Sequence, residues 1–187
     1  GLQAKFFAYA YAGYLRSFFR LYSKESCANQ LLTMLSNAVY DDSFLSDHIV
    51  TCLSLFIKPN GEIDLSTAGH PWPLLASRTD KTASYLKTAG PLIGLTDDAK
   101  YETTHYKAKT GDRIILYTDG LLENKAQANK HQENQLKLLE LSKNNLELTL
   151  FDYTNNLWEA MNNSTVFQDD TTLVVLEYTS GDHDGRN

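Results

Sequence analysis

Two groups of acidic residues stand at the predicted ends of β-strands, where their side chains could do chemistry together. Asp119 follows the apolar run "RIILY" (113–117), and Asp169 and Asp170 precede the run "TTLVVLEY" (171–178). If these strands are antiparallel neighbours, the end of one meets the start of the other, and the carboxylates converge at one rim of the sheet. Clustered carboxylates repel each other, and a bound divalent cation removes that cost. Ligation by oxygen alone suits Mg²⁺ or Mn²⁺, so the sequence predicts a candidate metal site.

The glycine that follows the first carboxylate has two explanations. A turn directly after a strand often needs a positive φ, which glycine adopts without strain, and we expect this of Gly120. The missing side chain would also leave room for metal-bound water or substrate. The alternative is ordinary turn chemistry, because Asp-Gly is a common turn and paired acids are common in loops. The combination of the two acidic strand ends favours the metal site.

The periodicity of the first third of the chain predicts two helices and a β-hairpin. Residues 2–22 form an aromatic-rich helix with apolar residues at three- and four-residue spacing, which favours core packing. A second helix is predicted from about residue 25 to residue 39, with Ser23 or Ser26 as its N-cap. Residues 48–69 then predict a hairpin that turns at "KPNG".

The rest of the chain predicts more strands, two helices and a final strand. Short strands are expected at 73–78 and 83–88, and another pair within 101–120, turning at 110–112. Residues 121–163 return to helical periodicity before the last strand at 171–178. Antiparallel strands with segregated helices indicate an α+β domain, which we expect to be a layered antiparallel β-sandwich flanked by helices.

Composition limits the classes of function. The chain has 187 residues, 42% of them hydrophobic, and a net charge of −6, which fits one globular domain, expected at 1–179 with a polar tail at 180–187. No dense Lys/Arg cluster indicates nucleic-acid binding, and no apolar run of about 18 residues indicates membrane insertion. The two cysteines, Cys27 and Cys52, lack CxxC spacing and are expected to be reduced and buried. This favours a cytosolic location, either free or as part of a membrane-tethered protein.

Four motifs in order carry a family resemblance. They are "LSTAGHPWPLL" (65–75), "GPLIGL" (90–95), "TGDRIILYTDGLLE" (110–123) and "QDDTTLVVLEY" (168–178). Together they resemble the bacterial SpoIIE/RsbU-type phosphatases. These belong to the metal-dependent PPM group of serine/threonine phosphatases, the protein phosphatase 2C superfamily. The resemblance covers nearly the whole chain and implies a PPM-like fold.

The resemblance assigns roles to several residues. It implies that Asp119 and Asp169 are metal ligands and therefore catalytic, with Gly120 beside them and Asp170 in a supporting position. It implies two ions, Mn²⁺ or Mg²⁺, in the intact site. A water bridging two ions can attack the phosphorus of phosphoserine or phosphothreonine directly.

A supporting loop is predicted from the two glycine-containing motifs. His70 lies between Gly69 and Pro71, where it could act as a general acid or lock the turn through hydrogen bonds. Gly90 and Gly94 are expected to permit a tight loop near the site.

The match breaks at the beginning of the chain. The family has an early D-x-x-G-x-G segment whose aspartate bridges the metals, whereas this chain opens with "GLQA", which resembles only the last glycine of that segment. The bridging aspartate is expected upstream of Gly1, so these 187 residues alone are expected to bind metal poorly.

The resemblance also implies partners. The substrate class is a phosphorylated regulatory protein, an anti-sigma-factor antagonist. An upstream sensor or regulatory domain is implied, with residues 2–39 as a homodimer or interdomain surface. Two alternatives remain open: an inactive pseudophosphatase that binds a partner, and a structural domain with incidental acidic turns.

Overall fold

A computed structural model describes residues 2–22, 27–45, 48, 50–123, 130–162 and 170–180. Within these ranges it has two helices, six strands, two helices and a final strand, as the sequence predicts. They are α1 (Leu2–Tyr22), α2 (Ala28–Tyr40), β1 (Cys52–Ile57), β2 (Glu62–Ala68), β3 (Leu74–Ser77), β4 (Thr82–Tyr85), β5 (Thr104–Lys107), β6 (Arg113–Tyr117), α3 (Lys130–Lys143), α4 (Leu150–Asn162) and β7 (Leu173–Glu177). Of the predicted tail at 180–187, only Ser180 lies among the described residues.

The strands form two sheets, with the orders β1-β2-β5 and β4-β3-β6-β7. The predicted α+β class is confirmed. The predicted hairpins are also confirmed, because β1 pairs antiparallel with β2 and β3 with β4.

The predicted pairing of β5 with β6 is wrong, because the two strands belong to different sheets. The turn between them forms backbone hydrogen bonds with the residue directly after β7. The Gly111 N–H donates to the Tyr178 carbonyl at 2.9 Å, and the Tyr178 N–H donates to the Asp112 carbonyl at 2.9 Å. These bonds extend the ladder between β6 and β7, so the turn residues continue the β7 pairing instead of closing a hairpin.

The chain divides into two compact units. The first is drawn from Gly1–Ile57, Ile63–His70 and Thr88–Tyr106. The second is drawn from Lys58–Glu62, Pro71–Lys87 and Lys107–Asn187. Each unit has its own cluster of buried apolar residues.

Helices α1 and α2 supply most of the core of the first unit. The buried face of α2 carries Leu31, Leu35 and Val39, spaced four residues apart as an amphipathic helix requires. From α1, Tyr11 and Phe18 are buried in the same core. The Tyr11 hydroxyl donates to the Leu45 carbonyl at 3.1 Å.

The predicted start of α2 needs correction. Helix α2 begins at Ala28 rather than near residue 25, with Cys27 as its N-cap, and the predicted caps Ser23 and Ser26 lie outside the described residues. In helix α1, Tyr11 and Phe18 are buried, whereas Tyr9 is 80% exposed. Its described side chains thus divide between a core face and an exposed aromatic face.

The cysteines are free thiols, as expected, but both are only partly buried. Burial raises the pKa of the Cys52 thiol. None of the helices in the described ranges combines the length and apolar composition that a membrane span requires.

In the second unit, α3 and α4 pack on the four-stranded sheet. Tyr153, Leu157 and Met161 follow each other at four-residue spacing on α4 and are buried, together with Leu138 of α3. The central strand β6 is buried along nearly its whole length, which explains its continuous apolar sequence. The strand that leads to Asp119 is therefore packed into the core of the second unit.

Candidate active site

The pairing of β6 with β7 brings the two acidic strand ends together. The strands are antiparallel neighbours, which meets the condition set in the sequence analysis, and Tyr117 lies opposite Leu173. The chain leaves β6 towards Asp119 at the same end at which it enters β7 from Asp170. Both carboxylate residues are exposed. Asp169 lies outside the described residues.

Thr118 holds these two strand ends against each other. Its backbone N–H donates to the Thr172 carbonyl at 3.1 Å. Its Oγ1 accepts from the Thr172 N–H at 2.9 Å and donates to the Asp170 carbonyl at 3.4 Å. The sequence analysis missed this residue. Its position between a strand and a candidate ligand was a signal that its polar side chain could hydrogen-bond to nearby backbone groups.

The conformation at Gly120 differs from the one predicted. Asp119–Leu121 form a 3₁₀ helix, a right-handed conformation with negative φ, so the expected positive φ is wrong. The Asp119 carbonyl accepts from the N–H groups of Leu122 at 2.8 Å and Glu123 at 2.9 Å. Gly120 is itself buried, and its N–H donates to Asp119 Oδ1 at 3.0 Å. The short helix therefore fixes the backbone that carries the carboxylate.

The side chains at this end are of the type that binds a hard cation, but too few of them lie among the described residues to form a complete site. Asp119 and Asp170 offer exposed carboxylate oxygens, the ligands that Mg²⁺ and Mn²⁺ prefer. Across the part of the chain that the structure describes, however, no group of three or more His, Cys, Asp or Glu side chains is placed to hold a metal ion. A complete site would need Asp169 or further ligands in addition.

A pair of tyrosines lies below the carboxylate end of β6. The Tyr117 and Tyr85 side chains share a hydrogen bond, and burial raises the pKa of both hydroxyls. The Tyr85 hydroxyl in turn donates to the Gln135 carbonyl of α3 at 2.9 Å. The bonds connect β6, β4 and α3 through the core.

The predicted supporting loop residues lie in the first unit. His70 Nδ1 is 3.3 Å from Thr51 Oγ1, a contact of the kind expected for a histidine that locks its turn. At Gly69, φ is +64°, and a Cβ would lie 2.3 Å from Leu92 Cδ2. Only glycine fits that position without strain.

The two glycines of "GPLIGL" have packing roles in the same unit. A Cβ on Gly90 would lie 2.5 Å from the Thr67 carbonyl oxygen. The Gly94 N–H donates to Ser36 Oγ of α2 at 3.0 Å. These contacts agree with the predicted tight loop, and a role for the loop in chemistry stays a prediction.

The fold is that of PP2C-type phosphatase domains. The SiaA-PP2C domain of Pseudomonas aeruginosa superposes with a TM-score of 0.76 at 13% identity, over 95% of this chain and 70% of that one. The RsbU and RsbW domains of a Mycobacterium tuberculosis protein give a TM-score of 0.70 at 23% identity, over 89% and 46%.

The family follows from the sequence as a whole. The model of the family described as Stage II sporulation protein E (SpoIIE) matches residues 1–179, and the chain belongs to this family. Phosphoserine phosphatase RsbU of Bacillus subtilis (strain 168) is 23% identical over 150 residues, which cover 79% of this chain and 44% of that protein. The chain thus spans less than half the length of this relative and of the Mycobacterium tuberculosis chain. The resemblance predicted from the four motifs is confirmed.

Proposed function

We propose that this protein is a metal-dependent phosphatase that hydrolyses phosphoserine or phosphothreonine on a regulatory protein. The observation that carries the proposal is the meeting of the Asp119 and Asp170 strand ends across the β6–β7 ladder, fastened by Thr118. Membership of a protein phosphatase family supports the reaction class. The family match over 1–179 supports that range as the phosphatase domain.

The proposed metal ligands are Asp119 and Asp169, with Asp170 beside them and Gly120 holding the Asp119 backbone. A bound Mn²⁺ or Mg²⁺ pair would supply an activated water and neutralise charge on the phosphoryl group. Neighbouring folds support this choice of ion. One structure of the SpoIIE phosphatase domain from Bacillus subtilis was presoaked with Mn, and one of RsbX is in complex with magnesium.

The residues around the site would fix the positions of the metal ligands before substrate binds. The 3₁₀ helix turns Asp119 outward at the end of β6, and Thr118 fixes the entry to β7 opposite it. These hydrogen bonds hold the backbones that carry Asp119 and Asp170 at the same end of the β6–β7 ladder. Such preorganisation is what a site for a charged phosphoryl group needs.

The proposed substrate is a phosphorylated anti-sigma-factor antagonist. RsbU, the curated relative, is a phosphoserine phosphatase, which supports the phosphoserine part of this proposal. The exposed aromatic face of α1 fits the proposed contact with a second copy or an upstream regulatory domain, as proposed for residues 2–39.

The alternative function is that of a pseudophosphatase, which binds a phosphoprotein without hydrolysing it. The incomplete ligand set among the described side chains is compatible with either function, because Asp169 lies outside them. A pseudophosphatase would bind its partner but neither bind Mn²⁺ nor turn over substrate.

The deciding experiment measures Mn²⁺-dependent hydrolysis of p-nitrophenyl phosphate by the full-length protein and its Asp119→Asn and Asp169→Asn variants. Each substitution keeps the side-chain shape and removes the charge. We expect each variant to lose activity by at least about a hundredfold, because even mutation of a residue that only hydrogen-bonds to a metal ligand typically lowers activity or metal affinity ten- to a hundredfold. Asp98→Asn, an exposed acid in the first unit, is the matched control and should retain full activity.

Each outcome separates the two functions. Retained activity in Asp119→Asn would overturn the assignment of the ligand. Absence of both Mn²⁺ binding and hydrolysis in the unsubstituted protein would overturn the enzymatic proposal and leave phosphoprotein binding as the better account.

A further inference from the structure

An exposed tryptophan and a lysine lie together beside the candidate site. Trp72 directly precedes the Pro73 that leads into β3, and its side chain is 40% exposed. Lys87 follows β4 and is also exposed, with its Nζ 5.3 Å from the centre of the Trp72 ring. This cation–π contact groups a flat aromatic surface and a positive charge. Tryptophans in such exposed positions are frequent anchors of protein–protein contacts.

The strand register puts this pair at the carboxylate end of the sheet. Leu74 at the start of β3 pairs with Ile115 in the middle of β6, so the chain before Leu74 runs alongside the half of β6 that leads to Asp119. The Leu86 N–H donates to the Pro73 carbonyl at 2.9 Å, which continues the pairing of β3 with β4 past the strand ends.

The distances follow from the strand order. In the order β4-β3-β6-β7, Trp72 is one strand from the strand of Asp119, and Lys87 is two strands from it. Neighbouring strands lie about 4.8 Å apart, so the lateral offsets are about 5 Å and about 10 Å. An extended peptide advances about 3.3 Å per residue, so about three residues bridge the larger offset.

We propose that Trp72 and Lys87 bind the segment of the phosphoprotein substrate that flanks the phosphorylated residue, with a preference for an acidic side chain there. The inference rests on the proposed function. The Trp72 ring offers apolar area to the extended segment, and the Lys87 ammonium pairs with the acidic side chain. The positive charge of Lys87 is complementary to an acidic side chain, and this complementarity favours an acidic segment as the occupant.

Two phosphoserine peptides test the preference. They are identical except for Glu or Lys at the third residue on either side of the phosphoserine, and the readout is the ratio of kcat/KM for the Glu peptide to that for the Lys peptide with full-length protein. We expect a ratio of about five in the unsubstituted protein, typical of one solvent-exposed charge pair beside an aromatic ring. Lys87→Gln should bring the ratio near one, and Lys87→Glu should invert it.

The matched control is Lys81→Glu. Lys81 lies in the turn that joins β3 to β4, at the opposite end of the same two strands, and is also exposed. Lys81→Glu changes the net charge by the same amount as Lys87→Glu, so a general electrostatic effect would change the ratio in both variants. An unchanged ratio in Lys87→Glu, or an equal change in Lys81→Glu, would overturn the inference.

Peptide binding provides a readout that does not depend on turnover. The Glu peptide should quench tryptophan fluorescence at lower concentrations than the Lys peptide, and the difference should disappear in Trp72→Phe. If the protein binds the peptides in this way but hydrolyses neither them nor p-nitrophenyl phosphate, the proposed function fails and the binding site stands. If the protein hydrolyses p-nitrophenyl phosphate but shows neither the peptide preference nor the Trp72 fluorescence change, the proposed function stands and the inference about the peptide site fails.

Discussion

At the scale of single residues, Thr118 is the side chain on which the geometry of the candidate site depends most. Its hydroxyl bonds to the Thr172 N–H and the Asp170 carbonyl, while its own backbone bonds to Thr172. Thr118→Val keeps the shape and removes the hydroxyl. We expect Mn²⁺ affinity to fall about fivefold, since one intramolecular hydrogen bond contributes about 1 kcal/mol. Isothermal titration of the full-length protein with Mn²⁺ measures the effect.

Thr118→Ser is the control for this prediction, because serine retains a hydroxyl at the same position. It should restore most of the affinity that Thr118→Val loses. Equal losses in both variants would show that the methyl group and its packing matter, and that the hydroxyl does not hold the two strand ends.

At the scale of elements, a buried arginine fastens the central sheet to the beginning of α4. The side chain of Arg113 on β6 is 2% exposed, and its Nε donates to Glu177 Oε2 on β7 at 2.7 Å. Its Nη2 donates to the Leu148 carbonyl at 2.6 Å, and the guanidinium lies 4.4 Å from the Tyr153 ring centre. One side chain thus joins two strands and the segment that leads into α4.

Replacing Arg113 with Met should therefore destabilise the protein by about 3 kcal/mol. The substitution keeps most of the apolar stem but leaves Glu177 without its ion-pair partner, and removing one member of a buried pair typically costs about 3–5 kcal/mol. Partial exposure of the Glu177 side chain places the expected value at the lower end. Urea unfolding followed by circular dichroism measures it.

Arg78→Met is the matched control at this scale. Arg78 also donates to a carboxylate, Glu147, at 2.6 Å, but both side chains are exposed. Exposed ion pairs add little to stability, so this variant should unfold close to the unsubstituted protein. Similar destabilisation by both substitutions would contradict the role given to burial at Arg113.

At the scale of the whole molecule, sequence patterns predict the features that depend on residues close together in the chain, namely the helices, the strands and the short turns between them. The order of elements and the β1–β2 hairpin follow from apolar periodicity and the positions of turns, whereas the pairing of β6 with β7 entered the sequence analysis only as a condition. The predicted pairing of β5 with β6 is wrong, because Gly111 and Asp112 form backbone hydrogen bonds with Tyr178, a residue that is distant in sequence. The 3₁₀ helix at Asp119–Leu121 was missed because three residues carry too little periodicity to distinguish it from a turn.

The candidate site shows the same division. The acidic residues were visible as charges at apolar strand ends, whereas Thr118 and Trp72 matter only through the strand register, which sequence alone leaves undefined. Asp169 lies outside the described residues, and its role as a ligand stays a prediction.

Buried tyrosines in both units predict how the stability of the molecule changes at high pH. Burial raises the pKa of Tyr11 and Tyr101 in the first unit, and raises the pKa of Tyr153 in the second unit to about 12. An unfolded tyrosine ionises near pH 10, so the folded state disfavours the phenolate. The contribution of Tyr153 is therefore complete below pH 10 and is lost as the pH rises from about 10 to about 12.

Tyr153→Phe isolates that contribution. The variant should lose about 1 kcal/mol at pH 7, because the Tyr153 hydroxyl no longer donates to the Ser142 carbonyl. Between pH 10 and pH 12 its stability should fall less steeply than that of the unsubstituted protein, since one fewer group releases a proton on unfolding. Urea unfolding at pH 7, 10 and 11 measures both effects. Tyr9→Phe, at a position that is 80% exposed, should change neither, and an unaltered slope in Tyr153→Phe would mean that this hydroxyl does not limit alkaline stability.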